Sequence, residues 1–309
     1  MHQSTLPESA PRGSAVPERL GAHVSTQGGV DKAPARGVEI GATAIQVFTK
    51  TPNQWREPRI SPETRAAFRR EYERARLNGV VSHDSYLINL ASPDPTLSAR
   101  SVASFTAELE RCTVLGIPAV VSHPGNYIDE RSAGLARNAA AIARCLKGVA
   151  GNVMVLLETT AGTGTALGST FEELAELRDR IPARLRRRVA FCADTCHLYA
   201  AGYDIVKDYD GVWARFDRVI GLELLRCLHL NDSRTPFASR RDRHELIGEG
   251  TLGPQPFRRI MTDPRFAAVI KVLETPKGDD GVTTDRKMLR RLRRYAGSVA
   301  SRRRRINLS

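Results

Sequence analysis

The chain has 309 residues, 41% hydrophobic and 26% charged, which supplies both a sizeable core and a hydrated surface. It has no apolar run of the roughly 18 residues that a membrane helix needs and no secretory signal, so we expect a cytoplasmic protein outside the membrane. The formal net charge of +13 favours a polyanionic partner such as nucleic acid, although a general arginine bias would give the same charge.

The chain divides into a central domain with two atypical ends. Residues 1–19 are rich in Pro, Ser and Gly without an apolar period, and they are predicted to form a disordered leader. Residues 20–300 are predicted to form one domain, and residues 301–309 a basic tail. We expect the arginines of this tail to add a sequence-independent DNA contact, the alternative being a solvated helix end.

Eight short apolar segments, each ending in a polar or ionisable residue, alternate with amphipathic stretches along the central domain. This alternation is typical of repeated β-α units, and eight units favour a closed (β/α)8 TIM barrel over an open doubly wound sheet. The predicted strands lie at 19–24, 42–49, 79–83, 119–123, 153–158, 189–194, 225–230 and 269–274.

Helical spacing connects these strands. Val102, Phe105, Leu109 and Cys112 recur on one helical face, and Gly116 is expected to end that helix. A capping box at 169–172 predicts another helix start. Further helices are predicted at about 61–77, 131–148 and 284–296.

Histidines and carboxylates are concentrated at the predicted strand ends, where barrel enzymes carry their chemistry. Only the second strand contributes no such group. The donors at or just after strand ends are His23, His83, His123, Glu158, Asp194, His197, His229, Asp242, His244 and Glu274. A lone histidine at a strand end is usually a hydrogen-bonded core residue, but so many together indicate metal binding.

Imidazoles and carboxylates without a thiolate cluster suit zinc or manganese. So many donors exceed what one ion takes, which predicts a cluster of two or three metals of the kind that hydrolyses phosphodiesters. Cys192 and Cys196 are interpreted as core thiols, because the odd total of five cysteines does not suggest a disulfide framework.

Nine ordered strings carry a family resemblance: GAHVS, FTKTPNQW, HDSYLINLAS, SHPG, LLETTAG, DTCH, HLNDS, DRHELIGEG and LETP. From about residue 21 to 276 the sequence resembles the endonuclease IV family of apurinic/apyrimidinic endonucleases. The resemblance implies a zinc-dependent enzyme that cuts the DNA backbone 5′ to abasic sites, leaving a 3′-hydroxyl and a 5′-deoxyribose phosphate, and that removes 3′-blocking groups.

The resemblance also implies three zinc ions per chain, with manganese an alternative in part of the site. One zinc would be held by His83, His123 and Glu158, and a second by Glu158, Asp194, His229 and Glu274. The third would take His197, Asp242 and His244. Glu158, Glu274 and Asp194 would be the catalytic carboxylates, and His23 is expected to support the ligands without binding metal.

The DNA contacts implied by the resemblance lie in two loops. Tyr86 and Leu87 would enter the duplex as wedges beside the flipped-out nucleotide, the alternative being that they pack their own loop. Asn53 stands where some family members have an arginine, so its contact is shorter and uncharged. Gln54 would be a polar insertion and Lys50 a phosphate contact.

Two other functions compete with a nuclease. A xylose-isomerase-like sugar isomerase or epimerase would use Glu158, Asp194, His229 and Glu274 alone, without a third metal or a basic surface. A DNA-binding barrel without activity would tolerate loss of a ligand, yet every expected ligand is present. We expect a monomer, since the enzyme must clamp a long duplex.

Overall fold

The computed structural model describes residues 16–306, with side chains described through residue 297. Eight parallel strands form a closed barrel, and helices pack around it. This confirms the predicted (β/α)8 fold. No helix within the described range is long and apolar enough to cross a membrane.

The barrel strands coincide with the eight predicted segments. They are β1 (Leu20–His23), β2 (Ala44–Val47), β3 (Gly79–His83), β4 (Ala119–Ser122), β5 (Met154–Glu158), β6 (Val189–Asp194), β7 (Leu225–His229) and β10 (Ile270–Leu273). Around the barrel their order is β1-β10-β7-β6-β5-β4-β3-β2. A short antiparallel hairpin of β8 (Asp232–Ser233) and β9 (His244–Glu245) follows β7 and was not predicted. Two-residue strands leave no periodic signal in a sequence.

Ten α-helices occur in the described part of the chain: α1 (Ala33–Ile40), α2 (Pro62–Arg74), α3 (Pro95–Leu115), α4 (Arg131–Gly148), α5 (Phe171–Arg180), α6 (Ala183–Arg186), α7 (Thr195–Ala201), α8 (Tyr209–Val219), α9 (Pro254–Thr262) and α10 (Gly281–Ile306). Helix α3 ends as predicted, because Gly116 adopts φ 77°, a left-handed conformation that favours glycine. The predicted cap of α5 is wrong by one residue: Thr170, not Ser169, accepts from the backbone N–H of Glu173.

The structure describes only part of the two predicted end segments. Residues 1–15 of the predicted leader lie outside the described residues, but Glu18 and Arg19 already bond to the barrel. At the other end α10 runs continuously through residue 300, so residues 301–306 of the predicted tail continue a helix longer than expected, and residues 307–309 lie outside the described residues.

The barrel interior explains where the functional groups lie. Its central layer consists of small or apolar side chains: Ala44, Val81, Ala119, Val121, Leu156, Ala190, Cys192, Cys227, Ile270 and Val272. Side chains two residues apart on a strand share a face, so the next inward position of each strand lies above this layer. Those next positions are Gln46, His83, His123, Glu158, Asp194, His229 and Glu274, and Gly21 is likewise followed by His23.

Candidate metal centre

The nine predicted ligands surround one cleft at the carboxyl end of the barrel. The first group comprises His83, His123 and Glu158, whose donor atoms lie within 4.8 Å of one another. Glu158 is completely buried, and its Oε2 lies 2.9 Å from His123 Nε2 and 3.3 Å from His83 Nε2. His123 is 42% exposed, so this group opens toward solvent at one corner.

The second group joins Glu158 to Asp194, His229 and Glu274, again with donor atoms within 4.8 Å. His229 Nδ1 faces all three carboxylates, at 2.7 Å from Glu158, 3.1 Å from Glu274 and 3.9 Å from Asp194. Glu158 therefore stands between the first and second groups. Its two oxygens point to different groups, the arrangement expected of a bridging ligand.

The third group is assembled from helix α7 and the unpredicted hairpin. Asp194 caps α7 by accepting from the backbone N–H of His197, which fixes that histidine one turn above β6. The pairing of β8 with β9 brings His244, and Asp242 two residues before it, over the cleft. Asp242 lies 3.1 Å from Nε2 of both His197 and His244, and it is 45% exposed.

The residues present fit a divalent metal cluster. The Nε2 atoms of His197 and His244 are buried and make no well-aligned hydrogen bond, although an Asp242 oxygen lies 3.1 Å from each. Buried polar atoms are otherwise almost always well bonded, so these two ring nitrogens and Asp242 form a candidate site for a cation. Thiols approach the same cleft, Cys192 and Cys227 near His229 and Cys196 near Asp242, but all five cysteines are free and buried.

Groups of opposite charge lie close together in the cleft and shift one another's pKa values. Burial raises the pKa of the Glu158 carboxyl, but the charges of His229 and His123 outweigh it and hold that pKa well below its usual range. Burial lowers the pKa of His197, yet Asp194 and Asp242 raise it to about 10. A site this rich in carboxylates is suited to holding positive charge.

Gln46 is a candidate site residue that the sequence did not single out. It lies fully buried on β2, the strand expected to contribute nothing, and touches His229, Glu274 and His23. His23 contacts this amide at 3.0 Å and lies 3.9 Å from Glu274, a supporting position. Burial lowers the pKa of His23 to about 3, so its imidazole is neutral.

The loop residues predicted to meet DNA differ in exposure. Tyr86 is 72% exposed and stands edge-on to Phe48, with ring centroids 5.2 Å apart. Leu87 beside it is half-buried, and Asn53 and Gln54 are exposed on the neighbouring loop. Of these four residues, Tyr86 also lines a cavity over the donors.

Lys50 requires a correction. Its side chain is only 3% exposed, and its Nζ lies 2.7 Å from Glu57 Oε1 and 2.7 Å from the backbone oxygen of Gln54. The ammonium is therefore already neutralised within the protein and shapes the loop instead of meeting a phosphate. The string FTKTPNQW gave no sign of this because Glu57 lies outside it.

Two adjoining cavities open over the donors. One, of about 610 Å³, is lined by His123, His197 and Asp242 together with Arg241 and Arg243. The other, of about 410 Å³, adds His23, Phe48, His83, Tyr86 and Glu274 to the same three side chains. Because they share His123, His197 and Asp242, the two cavities are neighbouring parts of one groove, and Arg241 and Arg243 line the larger part.

Comparisons with known proteins place this centre in a family. Residues 34–292 match the family model described as a xylose isomerase-like TIM barrel. The "Probable endonuclease 4" of Chloroflexus aurantiacus is 50% identical over 279 residues, covering 89% of this chain and 97% of that relative. The chain belongs to the endonuclease IV family. A "Probable endonuclease 4" of Geobacter sulfurreducens is 49% identical over 282 residues, covering 88% of this chain and 95% of its own length.

Solved structures agree with this family membership. The crystal structure of endonuclease IV from Thermus thermophilus superposes with a TM-score of 0.81 at 36% identity, covering 91% of this chain and all of that one. A D-tagatose 3-epimerase-like protein superposes with a TM-score of 0.65 at 16% identity over 92% of this chain, a likeness that shows the shared barrel fold. The resemblance stated from the sequence strings is thereby confirmed.

Proposed function

We propose that this protein is a metal-dependent deoxyribonuclease of the endonuclease IV type that acts in base excision repair. It hydrolyses the phosphodiester 5′ to an abasic site, leaving a 3′-hydroxyl and a 5′-deoxyribose phosphate, and it removes 3′-blocking groups as a phosphodiesterase. It works as a cytoplasmic monomer on double-stranded DNA. The observation that carries the proposal is the convergence of nine nitrogen and oxygen donors in one groove, in a chain of this family.

The donor groups fit three zinc ions, with manganese able to take part of the site. His83, His123 and Glu158 would hold the first, and Glu158, Asp194, His229 and Glu274 the second. His197, Asp242 and His244 would hold the third. When bound, such ions supply a hydroxide nucleophile at neutral pH and positive charge for the phosphate and the leaving oxygen.

The three catalytic carboxylates differ in how fully their oxygens are occupied. Both oxygens of Asp194 are engaged, Oδ1 by the N–H of His197 and Oδ2 by the amide of Asn231. Glu158 is buried, with both oxygens directed at histidines. These two residues therefore serve to hold the cluster together, and neither is open to an approaching water.

Glu274 is the carboxylate placed to accept a proton. It is 20% exposed, and only its Oε1 is taken by a neutral donor, the Gln46 amide at 2.6 Å. Burial raises the pKa of Glu274, but His229 outweighs it and keeps that pKa below its usual range, so the group is ionised at neutral pH. Its Oε2, which faces the groove floor beside His229, would orient the attacking water and take its proton.

DNA engagement follows from the loops at the groove margin. Tyr86 and Leu87 would enter the stack at the lesion, offsetting the free energy needed to unstack and flip the nucleotide. Asn53 and Gln54 would fill the space on the other strand with polar groups. The net charge of +13 supports the approach of a polyanion.

The direct test incubates the purified protein with a duplex that carries one abasic site, with and without prior chelation, and identifies both product ends. We expect a 3′-hydroxyl and a 5′-deoxyribose phosphate, and loss of cutting after chelation with recovery on adding zinc. A 3′-unsaturated aldehyde would identify a lyase and refute hydrolysis. If the fully metal-loaded protein left this DNA uncut, the proposed nuclease activity would be refuted.

A sugar isomerase or epimerase is the competing function, since such enzymes share this barrel fold. That chemistry would use Glu158, Asp194, His229 and Glu274, and it has no role for His197, Asp242 and His244. Metal analysis of the purified protein separates the two. About three zinc ions per chain favour the nuclease, and one or two favour the isomerase.

A further inference from the structure

The Gln46 side chain sits at the centre of a buried hydrogen-bond chain beneath the second donor group. Its Nε2 lies 2.6 Å from Glu274 Oε1 and 3.0 Å from His23 Nδ1. Its Oε1 lies 2.8 Å from His229 Nε2. One uncharged side chain therefore links two of the predicted ligands to a histidine that supports them.

The neighbours of Gln46 fix which way its amide points. An ionised carboxylate only accepts hydrogen bonds, so the amide NH2 must face Glu274, and its second hydrogen is directed at His23. The reverse orientation would place the amide oxygen against the carboxylate, two acceptors at 2.6 Å. The amide oxygen is consequently left for His229, which must donate through Nε2.

This contact fixes the tautomer of His229. Nδ1 of His229 also lies 2.7 Å from Glu158 Oε1 and donates to that carboxylate, so the ring in this structure carries a proton on each nitrogen. An imidazole that binds a metal must lose one of these protons. The Nε2 proton is kept by its bond to Gln46, so the Nδ1 proton is lost and Nδ1 becomes the ligand atom. Nδ1 is the atom that faces the carboxylates of Glu158, Asp194 and Glu274. The ring therefore offers its lone pair to the only part of the cleft where it can act as a ligand.

Other site histidines achieve the same result by a different route. Nδ1 of His83 bonds to the backbone oxygen of Asp84, at 3.0 Å. Nδ1 of His197 bonds to that of Thr159 at 2.8 Å, and Nδ1 of His244 to that of Glu274 at 3.2 Å. Because these backbone oxygens accept from Nδ1–H, Nε2 of each ring is left as the atom that can bind a metal. His229 instead presents Nδ1, and the partner of its Nε2 is the Gln46 side chain, which can be removed by substitution.

We propose that Gln46 is a positioning residue that holds His229 as the Nε2–H tautomer and anchors Glu274, so that both present their donor atoms to the same metal ion. The inference rests on the proposed function in one respect, that His229 and Glu274 are metal ligands. Partners of metal-bound histidines typically change metal affinity or activity roughly 10- to 100-fold when removed.

Two variants distinguish the contact of Gln46 with His229 from its contact with Glu274. Gln46→Met keeps the length of the side chain but removes both donor and acceptor. Gln46→Glu keeps an acceptor for His229 Nε2 and places a second carboxylate against Glu274. Gln255→Met, at an exposed position of α9, is the matched control for the substitution itself.

The measurements are zinc release from the loaded full-length protein to a chelator and ¹⁵N NMR of its labelled histidines. The His229 signal is assigned by its loss in His229→Asn. We expect Gln46→Met to release one zinc roughly 10- to 100-fold faster than wild type and to lose the single Nε2–H tautomer of His229. Gln46→Glu should restore that tautomer, and its zinc release should fall between those of wild type and Gln46→Met. Gln255→Met should match wild type in both measurements.

Circular dichroism and thermal unfolding identify any variant that fails to fold. If Gln46→Met does not fold, the test is the His229 tautomer measured in Gln46→Glu. Wild-type zinc release and an unchanged His229 tautomer in a folded Gln46→Met would overturn the inference. The same holds if Gln46→Glu is folded but has lost the Nε2–H form. A wild-type protein that binds no zinc would instead refute the proposed function, and this inference with it.

Discussion

Replacing Glu108 with leucine should destabilise the barrel through a buried charge network between α3, β3 and the segment that follows β2. Glu108 is buried on α3 and accepts hydrogen bonds from Thr49 at 2.5 Å and Arg111 at 2.7 Å, and also from Ser82. Arg111 is itself buried and reaches Glu57 at 2.6 Å. The network therefore ties the helix to two strand ends next to the metal centre.

The expected magnitude follows from what leucine leaves behind. Breaking a buried ion pair by removing one partner typically costs about 3–5 kcal/mol, because the other charge stays uncompensated. Arg111 keeps Glu57 as a partner, which places the loss of unfolding free energy at about 3 kcal/mol. Thr49 and Ser82 would also lose a buried acceptor, which adds to the destabilisation.

Urea unfolding followed by circular dichroism measures this loss. Glu110→Leu, at an exposed position two residues along the same helix, is the matched control and should change the unfolding free energy by less than about 0.5 kcal/mol. The double variant Glu108→Leu/Arg111→Met removes both charges and should recover part of the stability.

Two results would contradict this reasoning. A loss below about 1 kcal/mol in Glu108→Leu would show that the buried pair is solvated or dispensable. A double variant less stable than Glu108→Leu would show that Arg111 still stabilises the fold through its other bonds. The destabilisation in Glu108→Leu would then not come from an unpaired Arg111 charge.

Four further predictions concern catalysis, DNA binding and pH. Glu158→Gln should lower kcat for abasic-site incision by at least roughly 100-fold while leaving duplex binding largely intact; incision at the wild-type rate would exclude the proposed mechanism. Tyr86→Ala should weaken binding of abasic DNA by about 1–3 kcal/mol in titrations, with little effect on undamaged duplex. Deleting residues 301–309 should lower DNA affinity and make it less dependent on salt concentration. A truncated protein that binds DNA as tightly as the full chain at both low and high salt would rule out a tail contact. Burial lowers the pKa of Lys271 from 10.5 to about 8 in the folded protein. Between these two pH values the unfolded chain keeps a proton on Lys271 that the folded protein has lost, so the free energy of unfolding rises with pH. Relative to Lys271→Met, wild type should gain at most about 3 kcal/mol over that interval in urea titrations at successive pH values, and a constant difference would contradict the burial of a charged ammonium.

The sequence alone determined the barrel and the list of donors. Each strand alternates inward and outward residues, and an apolar inward residue such as Val81 or Leu156 is followed two positions later by His83 or Glu158. The eight apolar segments, each ending in a polar or ionisable residue, predicted both the fold and the end of the barrel at which the donors gather. Family resemblance then supplied their proposed grouping.

Only the tertiary structure decided which polar groups are already occupied. Lys50 is neutralised by Glu57 and so is lost as a phosphate contact, while Gln46 gains a place among the site residues through Glu274 and His229, far away along the chain. The hairpin of β8 and β9 brings Asp242 and His244 to His197 by pairing two residues on each side. Such contacts depend on distances between side chains remote in sequence, which no local period encodes.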